Sequence, residues 1–205
     1  MKLHGFPASP NVWKVRATAN QMGVPLELQI VDLTKGEQRK PEYLALNPTG
    51  RVPTLVDGDT VLWESSAIMQ YLASKAQSPL WPDDAKTRAD IMRWQSWHLQ
   101  HWSRATSPFV FENMVKPLLK IGEPDQKVLE QATDMFHQEA AVLDRHLAQH
   151  PYLVKDTLSL ADFTVVAPLF LSTPAKMPLE KYDHVRSWFG KQAALPAWQE
   201  TAPKR

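Results

Sequence analysis

Ser9 is followed by Pro10, and serine ahead of a helix whose first residue is proline is a strong helix-start pattern. A hydroxyl there accepts from the Val12 N–H while its own hydrogen remains to be donated, so Ser9 is placed to hold an anion at a helix N-terminus. Asn11, two residues on, is a second side chain that could serve or help. Glu64-Ser65 stands between the apolar run TVLW and the amphipathic run AIMQYLASK. Free N–H groups and the helix dipole favour a carboxylate at such a start, Ser65 adds a donor, and Glu64 supplies the opposite charge for an ammonium. The pair thus suits the head group of an amino acid; its other reading is a plain serine cap beside a surface glutamate. Arg39 and Lys40 by themselves suit a solvated charged loop. His98 with His101, and His146 with His150, have spacings a metal could use. Neither pair has an obvious third ligand nearby, so they are read as surface or packing histidines, and no metal is expected.

Residues 1–75 must supply the elements that hold these groups. KLHGF, LELQIV, VPTLV and TVLW read as short strands, the last two separated by Asp57-Gly58-Asp59, a tight-hairpin signal. Helices are expected from Pro10 to about Met22, briefly near Pro41, and after Ser65, in the order βαβαββα. Residues 76–86, AQSPLWPDDAK, suit a linker. Residues 87–205 read as all-helical. A long helix starts near Asp83 or Asp84 and is bent or interrupted at Pro108 and Pro117; a second spans about 125–149. A third opens with the capping box Ser159-Leu160-Ala161-Asp162 and is expected to kink at Pro168, and the last runs from about Tyr182 to Ala194.

With 205 residues, a net charge of +1 and 43% apolar residues, the chain is long enough for a buried core and lacks the basicity of a nucleic-acid protein. No apolar run is long enough for a membrane span, and MKLHGFPASP lacks the features of a secretory signal. Cysteine is absent, which removes disulfides, thiolate metal sites and a cysteine nucleophile; a cytoplasmic protein is the default expectation.

Three segments in order carry a resemblance: the NP-x-G-x-VP-x-L run from Asn47 to Leu55, the ES-x-AI run from Glu64 to Ile68, and SLADF from Ser159 to Phe163. Together they resemble the cytosolic glutathione transferase family over essentially the whole chain. The resemblance implies a thioredoxin-like α/β domain followed by an all-α helical bundle, a homodimer, and a role in detoxification. HGFPASPNVWKV is similar to the serine-type members, plant-like, theta-like and bacterial, in which serine stabilises the glutathione thiolate; this assigns catalysis to Ser9, with Asn11 as second candidate. It also implies a cis Val52-Pro53 bond whose turn offers the Val52 backbone to glutathione as an added strand. Glu64 and Ser65 then hold the γ-glutamyl head, while Gln38, Arg39, Lys40 and Arg51 face the glycyl carboxylate. Relatives often carry histidine and lysine at the positions of Gln38 and Arg39, and glutamine at that of Arg51, so this sequence departs from them there.

A small apolar electrophile would lie between the domains against Trp102, Phe109, Phe111 and Met114, with Phe6 or Trp13 opposite; helix packing explains these residues equally well. The function this implies is conjugation of glutathione to that electrophile. Dehalogenation, peroxide reduction or isomerisation on the same site is the near alternative, and a non-catalytic interaction module the distant one.

Overall fold

The computed structural model describes residues 1–203; the last two residues of the expected helical domain lie outside them. Four strands, β1 (Lys2–Gly5), β2 (Glu27–Ile30), β3 (Thr54–Asp57) and β4 (Thr60–Trp63), form one sheet in the order β2-β1-β3-β4. β1 runs parallel to β2 and antiparallel to β3, and β3 pairs antiparallel with β4. A parallel pair needs a crossover, which α1 (Pro10–Gln21) provides, while α2 (Pro41–Leu44) precedes β3 and α3 (Ser65–Lys75) follows β4. The expected order βαβαββα is the observed one. Gly58, at φ 62°, makes the hairpin turn between β3 and β4.

The core of this first unit sets where α1 begins. Leu3 and Leu55 face each other across β1 and β3, fully buried with Val12 and Val15 of α1 and Ile68, Met69 and Leu72 of α3. A Cβ on Gly5 would lie 2.6 Å from Val12 Cγ2, so the missing side chain lets α1, which begins five residues after the end of β1, close on that strand. That approach fixes the turn carrying Ser9.

The second unit is helical: α4 (Ala85–Trp97), α5 (Ser103–Val110), α6 (Lys116–Leu119), α7 (Gln126–Leu147), α8 (Leu160–Val166) and α9 (Asp183–Ala193). Asp84 caps α4 by accepting from Lys86 N and Thr87 N, and Asp125 caps α7 in the same way. Ser159 and Asp162 form the expected capping box of α8, whose residues are all buried. Two π-helical turns, His98–Trp102 and Phe111–Val115, link α4, α5 and α6. Pro108 lies inside α5 and Pro117 opens α6. Neither ends the helical path, which continues through α5, the second π-helical turn and α6. At Pro168 the path tightens into a 3-10 segment, Ala167–Leu171.

The division between units departs from the expected ranges. Met1–Pro82 forms the first unit together with the segment beginning at Leu195, and Asp83–Ala194 forms the second. The cause is α10 (Pro196–Glu200), which was not expected from the sequence. Trp198 packs edge-on against Trp13 with centroids 5.4 Å apart, and Trp13 Nε1 donates to Thr201 Oγ1 at 3.1 Å. Among the described residues no helix is long and apolar enough to cross a membrane.

Candidate active site

Ser9 ends a turn closed by its own N–H on the Phe6 carbonyl at 3.0 Å. Its carbonyl accepts from Val12 N at 3.0 Å and Trp13 N at 2.9 Å, and its side chain makes no capping bond. The expected bond from Val12 N to the hydroxyl is therefore replaced by one to the backbone. The carbonyl already satisfies the first free N–H groups, and Pro10 has none to offer. The half-buried Ser9 hydroxyl is left uncommitted at the start of a twelve-residue helix. Asn11 lies exposed on the first turn.

Val52-Pro53 is cis. Among the described residues no backbone hydrogen bond engages Val52, so its N–H and C=O remain open to an extended ligand. The loop before it is held by a polar network that the sequence reading missed. Asn47 Nδ2 donates to Arg51 O at 2.8 Å and Thr54 Oγ1 at 3.1 Å, while its Oδ1 accepts from Thr49 N and Oγ1. Tyr43 OH donates to the same Arg51 carbonyl at 2.6 Å. Asn47 and Tyr43 are buried, and buried polar groups that find this many partners fix one loop shape.

Glu64 is the N-cap of α3, at φ 71° and ψ 112°. A left-handed φ at a non-glycine residue costs about 1–3 kcal/mol and is concentrated at functional sites. Its side chain makes no cap bond and is exposed. Ser65, the first residue of α3, is 6% exposed. The Arg39 guanidinium lies 3.4 Å from where a Gly50 Cβ would stand, and Gly50 itself needs φ 60°. Arg39 and Arg51 are exposed, Lys40 pairs with Glu37 at 3.1 Å, and Gln38 Oε1 is buried without a hydrogen-bond partner.

Lys14 is the residue of this unit whose setting is least expected from its type. It is fully buried, and its ammonium has no hydrogen-bond partner. Burial pushes it down to about 7, against the opposing pull of the Glu64 carboxylate. The available signal was its place one turn before Ala17 and Thr18, both buried.

Of the residues expected to meet an apolar substrate, Trp102 and Phe109 fill the packing role that the sequence left open. Trp102 is fully buried, donates from Nε1 to Val165 O at 3.1 Å, and lies against Phe136; Phe109 is 4% exposed. Phe111 is 45% exposed and lines an open cleft of about 430 Å³ with Ser103, Arg104, Ser107 and Pro108. Met114 is half-buried. In the first unit Phe6 is half-buried, and Trp13 is engaged by Thr201 and Trp198. His98 is buried, His101 lies 3.7 Å from Glu139, His146 stacks on His150, and His150 meets Asp156. Among the described residues no three His, Cys, Asp or Glu side chains gather as metal ligands.

Two family descriptions match the chain: "Glutathione S-transferase, N-terminal domain" over residues 3–80 and "Glutathione S-transferase, C-terminal domain" over residues 100–196. Glutathione S-transferase 3 of Zea mays is 40% identical, with 98% of this chain and 92% of that protein aligned. The crystal structure of glutathione transferase F7 from Populus trichocarpa superposes with a TM-score of 0.90 at 29% identity, covering 98% of this chain and 96% of that one. Glutathione S-transferase I from maize, solved with an atrazine glutathione conjugate, superposes at 0.87 with 30% identity over 98% and 95% of the two chains.

Proposed function

The chain belongs to the glutathione S-transferase family, and from that premise we propose that it joins the glutathione thiolate, stabilised by Ser9, to small apolar electrophiles. The observation that carries this reading is the Ser9 hydroxyl, left without a capping bond at the N-terminus of α1. Lowering a thiol pKa by about two units takes nearly 3 kcal/mol of preference for the thiolate. A charge-assisted hydrogen bond from Ser9 contributes roughly 1.5–3 kcal/mol, and the helix terminus up to about 1. The two together are sufficient.

In this reading glutathione lies extended along Val52 and pairs with its free backbone groups. Glu64 meets the γ-glutamyl ammonium; Ser65 and the first N–H groups of α3 meet the carboxylate beside it. Arg39, Lys40 and Arg51, with Gln38 as a neutral partner, face the glycyl carboxylate. The thiol gives its proton to solvent, and the sulfur attacks the electrophilic carbon as the leaving group departs. No covalent enzyme intermediate forms, and proximity supplies much of the acceleration. Phe111, which lines the cleft with Ser103, Arg104, Ser107 and Pro108, and the half-buried Met114 offer the apolar contact for the acceptor. A homodimer is the assembly this reading carries. With no cysteine in the chain, thiol–disulfide exchange through an enzyme thiol has no residue to form the mixed disulfide.

Calorimetric binding of glutathione, paired with thiolate absorbance across pH, tests the proposal. Binding with a lowered thiol pKa is expected. Binding without that shift would remove the activated-thiolate mechanism, and no binding at millimolar glutathione would remove the enzyme reading.

A further inference from the structure

The cleft of about 430 Å³ lined by Ser103, Arg104, Ser107, Pro108 and Phe111 belongs wholly to the second unit. Its residues recur at a helical interval along α5 and the turn after it, Ser103 with Ser107 and Phe111, and Arg104 with Pro108. The volume falls in the range of small-molecule sites. Its chemistry is divided. Phe111, 45% exposed, offers an aromatic ring, and Pro108 adds apolar surface. Arg104 offers a guanidinium, and two serine hydroxyls stand along the same face. No aspartate or glutamate is among these lining residues.

The charge on Arg104 has no partner. Among the described residues its exposed guanidinium makes no hydrogen bond and no ion pair. The acids of neighbouring segments are committed elsewhere. Glu112 is buried, accepts from Asp125 N at 2.7 Å and holds Lys116 Nζ at 2.6 Å. Glu139 of α7, which packs on α5, accepts from Trp97 Nε1 at 2.9 Å and faces His101. In two other clefts of this unit the arginine is already paired, Arg186 with Asp183 and Arg93 with Asp90. Arg104 thus joins a permanent, unpaired cation to an aromatic wall, and its fork matches the two oxygens of a carboxylate.

We propose that Arg104 is a specificity-determining residue of the transfer: among apolar electrophiles it selects those that carry a carboxylate. The inference rests on the acceptor site proposed above and narrows its substrate class. Phe111 lies against the apolar body of the acceptor, Arg104 forks its carboxylate, and a serine hydroxyl donates a further bond. For an aryl chloride, the glutathione sulfur bonds to the ring carbon that bears chlorine. The carbon–chlorine bond breaks, and chloride leaves with its electron pair. The carboxylate takes no part in these bond changes, so Arg104 acts on the hold of the acceptor. Because the cleft is open to water, the attraction is modest and is screened by salt.

Two acceptors of one skeleton test this. One is a chlorodinitrobenzoate, with chlorine para to the carboxylate and a nitro group on each side of the chlorine; the other is the corresponding benzamide. Each catalysed rate on the full chain is divided by its uncatalysed rate with glutathione, which removes the difference in ring reactivity. At low ionic strength wild type is expected to favour the benzoate in kcat/KM by about three to five times, through KM, and to lose the preference in about 0.5 M salt. Arg104→Gln should bring the ratio to about one, Arg104→Glu should invert it, and Arg104→Lys should keep part of it. Arg104 is exposed, so these substitutions leave folding intact. A wild-type ratio of one, or the same ratio in wild type and Arg104→Gln, would overturn the inference while both acceptors are still conjugated. No conjugation of either acceptor would overturn the transferase reading and the inference with it.

Discussion

Ser9→Ala separates chemistry from architecture, because the hydroxyl takes no part in capping α1. A serine N-cap that bonds through its side chain loses about 0.5–2 kcal/mol on conversion to alanine. Here Val12 N and Trp13 N are held by the Ser9 carbonyl, which alanine retains. The substitution should therefore cost no more than about 0.5 kcal/mol and shift the melting temperature by no more than about 2 °C. At the sulfur the loss is larger. Removing a charge-assisted bond of roughly 1.5–3 kcal/mol raises the bound thiol by about one to two pKa units. At neutral pH this lowers the thiolate fraction and turnover by about tenfold or more, with glutathione affinity nearly unchanged. The assay is thiolate absorbance of the bound complex against pH, with thermal unfolding measured beside it. An unchanged thiol pKa would refute the role of Ser9 and turn attention to Asn11→Ala. A fall in stability of full capping size would show that the hydroxyl caps the helix after all.

Asn47→Ala removes four hydrogen bonds, one buried and three part-buried, around the loop that carries Val52. It is expected to cost about 2–4 kcal/mol in denaturant unfolding and to weaken glutathione binding, with Tyr43 still holding the Arg51 carbonyl. Unchanged affinity would mean that the loop does not shape the site. Trp102→Phe deletes the donor to Val165 O and should lower stability by about 1–3 kcal/mol while leaving KM for the electrophile unaltered. A raised KM at normal stability would place Trp102 at the substrate instead. Lys14 also predicts a pH dependence of folding. Its pKa is about 7 when folded against 10.5 as a model value, so between these limits the unfolded chain binds more protons. Stability should then rise with pH across that window, by at most a few kcal/mol. Lys14→Met should abolish the rise in urea titrations at about pH 7 and about pH 10.

The elements most legible in the sequence are those whose signal is local. Ser159 and Asp162 announce α8 because both capping partners lie within one turn, and Asp57-Gly58 announces the β3–β4 hairpin because the turn itself demands φ of 62°. Glu64-Ser65 was legible as a strand-to-helix junction for the same reason, although the cap is Glu64 rather than the serine. Features that depend on distant partners left no such mark. The short helix α10 joins the first unit only because Trp198 and Thr201 find Trp13, more than 180 positions earlier in the chain, as the 188-residue separation of the hydrogen bond records. The helical path runs on past Pro108, inside α5, and Pro117, at the start of α6, prolines that local rules read as interruptions.

Trp102 and Lys14 show the same limit from opposite directions. An indole at helical spacing suits a pocket wall or a core equally, and only the presence of Phe136 and the Val165 carbonyl decides between them. A lysine on an N-terminal helix is read as solvated by residue type, yet α1 buries Val12, Lys14, Val15 and Thr18 alike. Propensity cannot distinguish a lysine that reaches water from one that does not, since the difference lies in what packs over it. The consequence is chemical as well as structural. A solvated lysine beside Glu64 would be a permanent cation with little influence, whereas the buried one is poised between two charge states. The Glu64 charge therefore acts on a group that can gain or lose a proton inside the protein, and it does so only because the fold removes Lys14 from solvent.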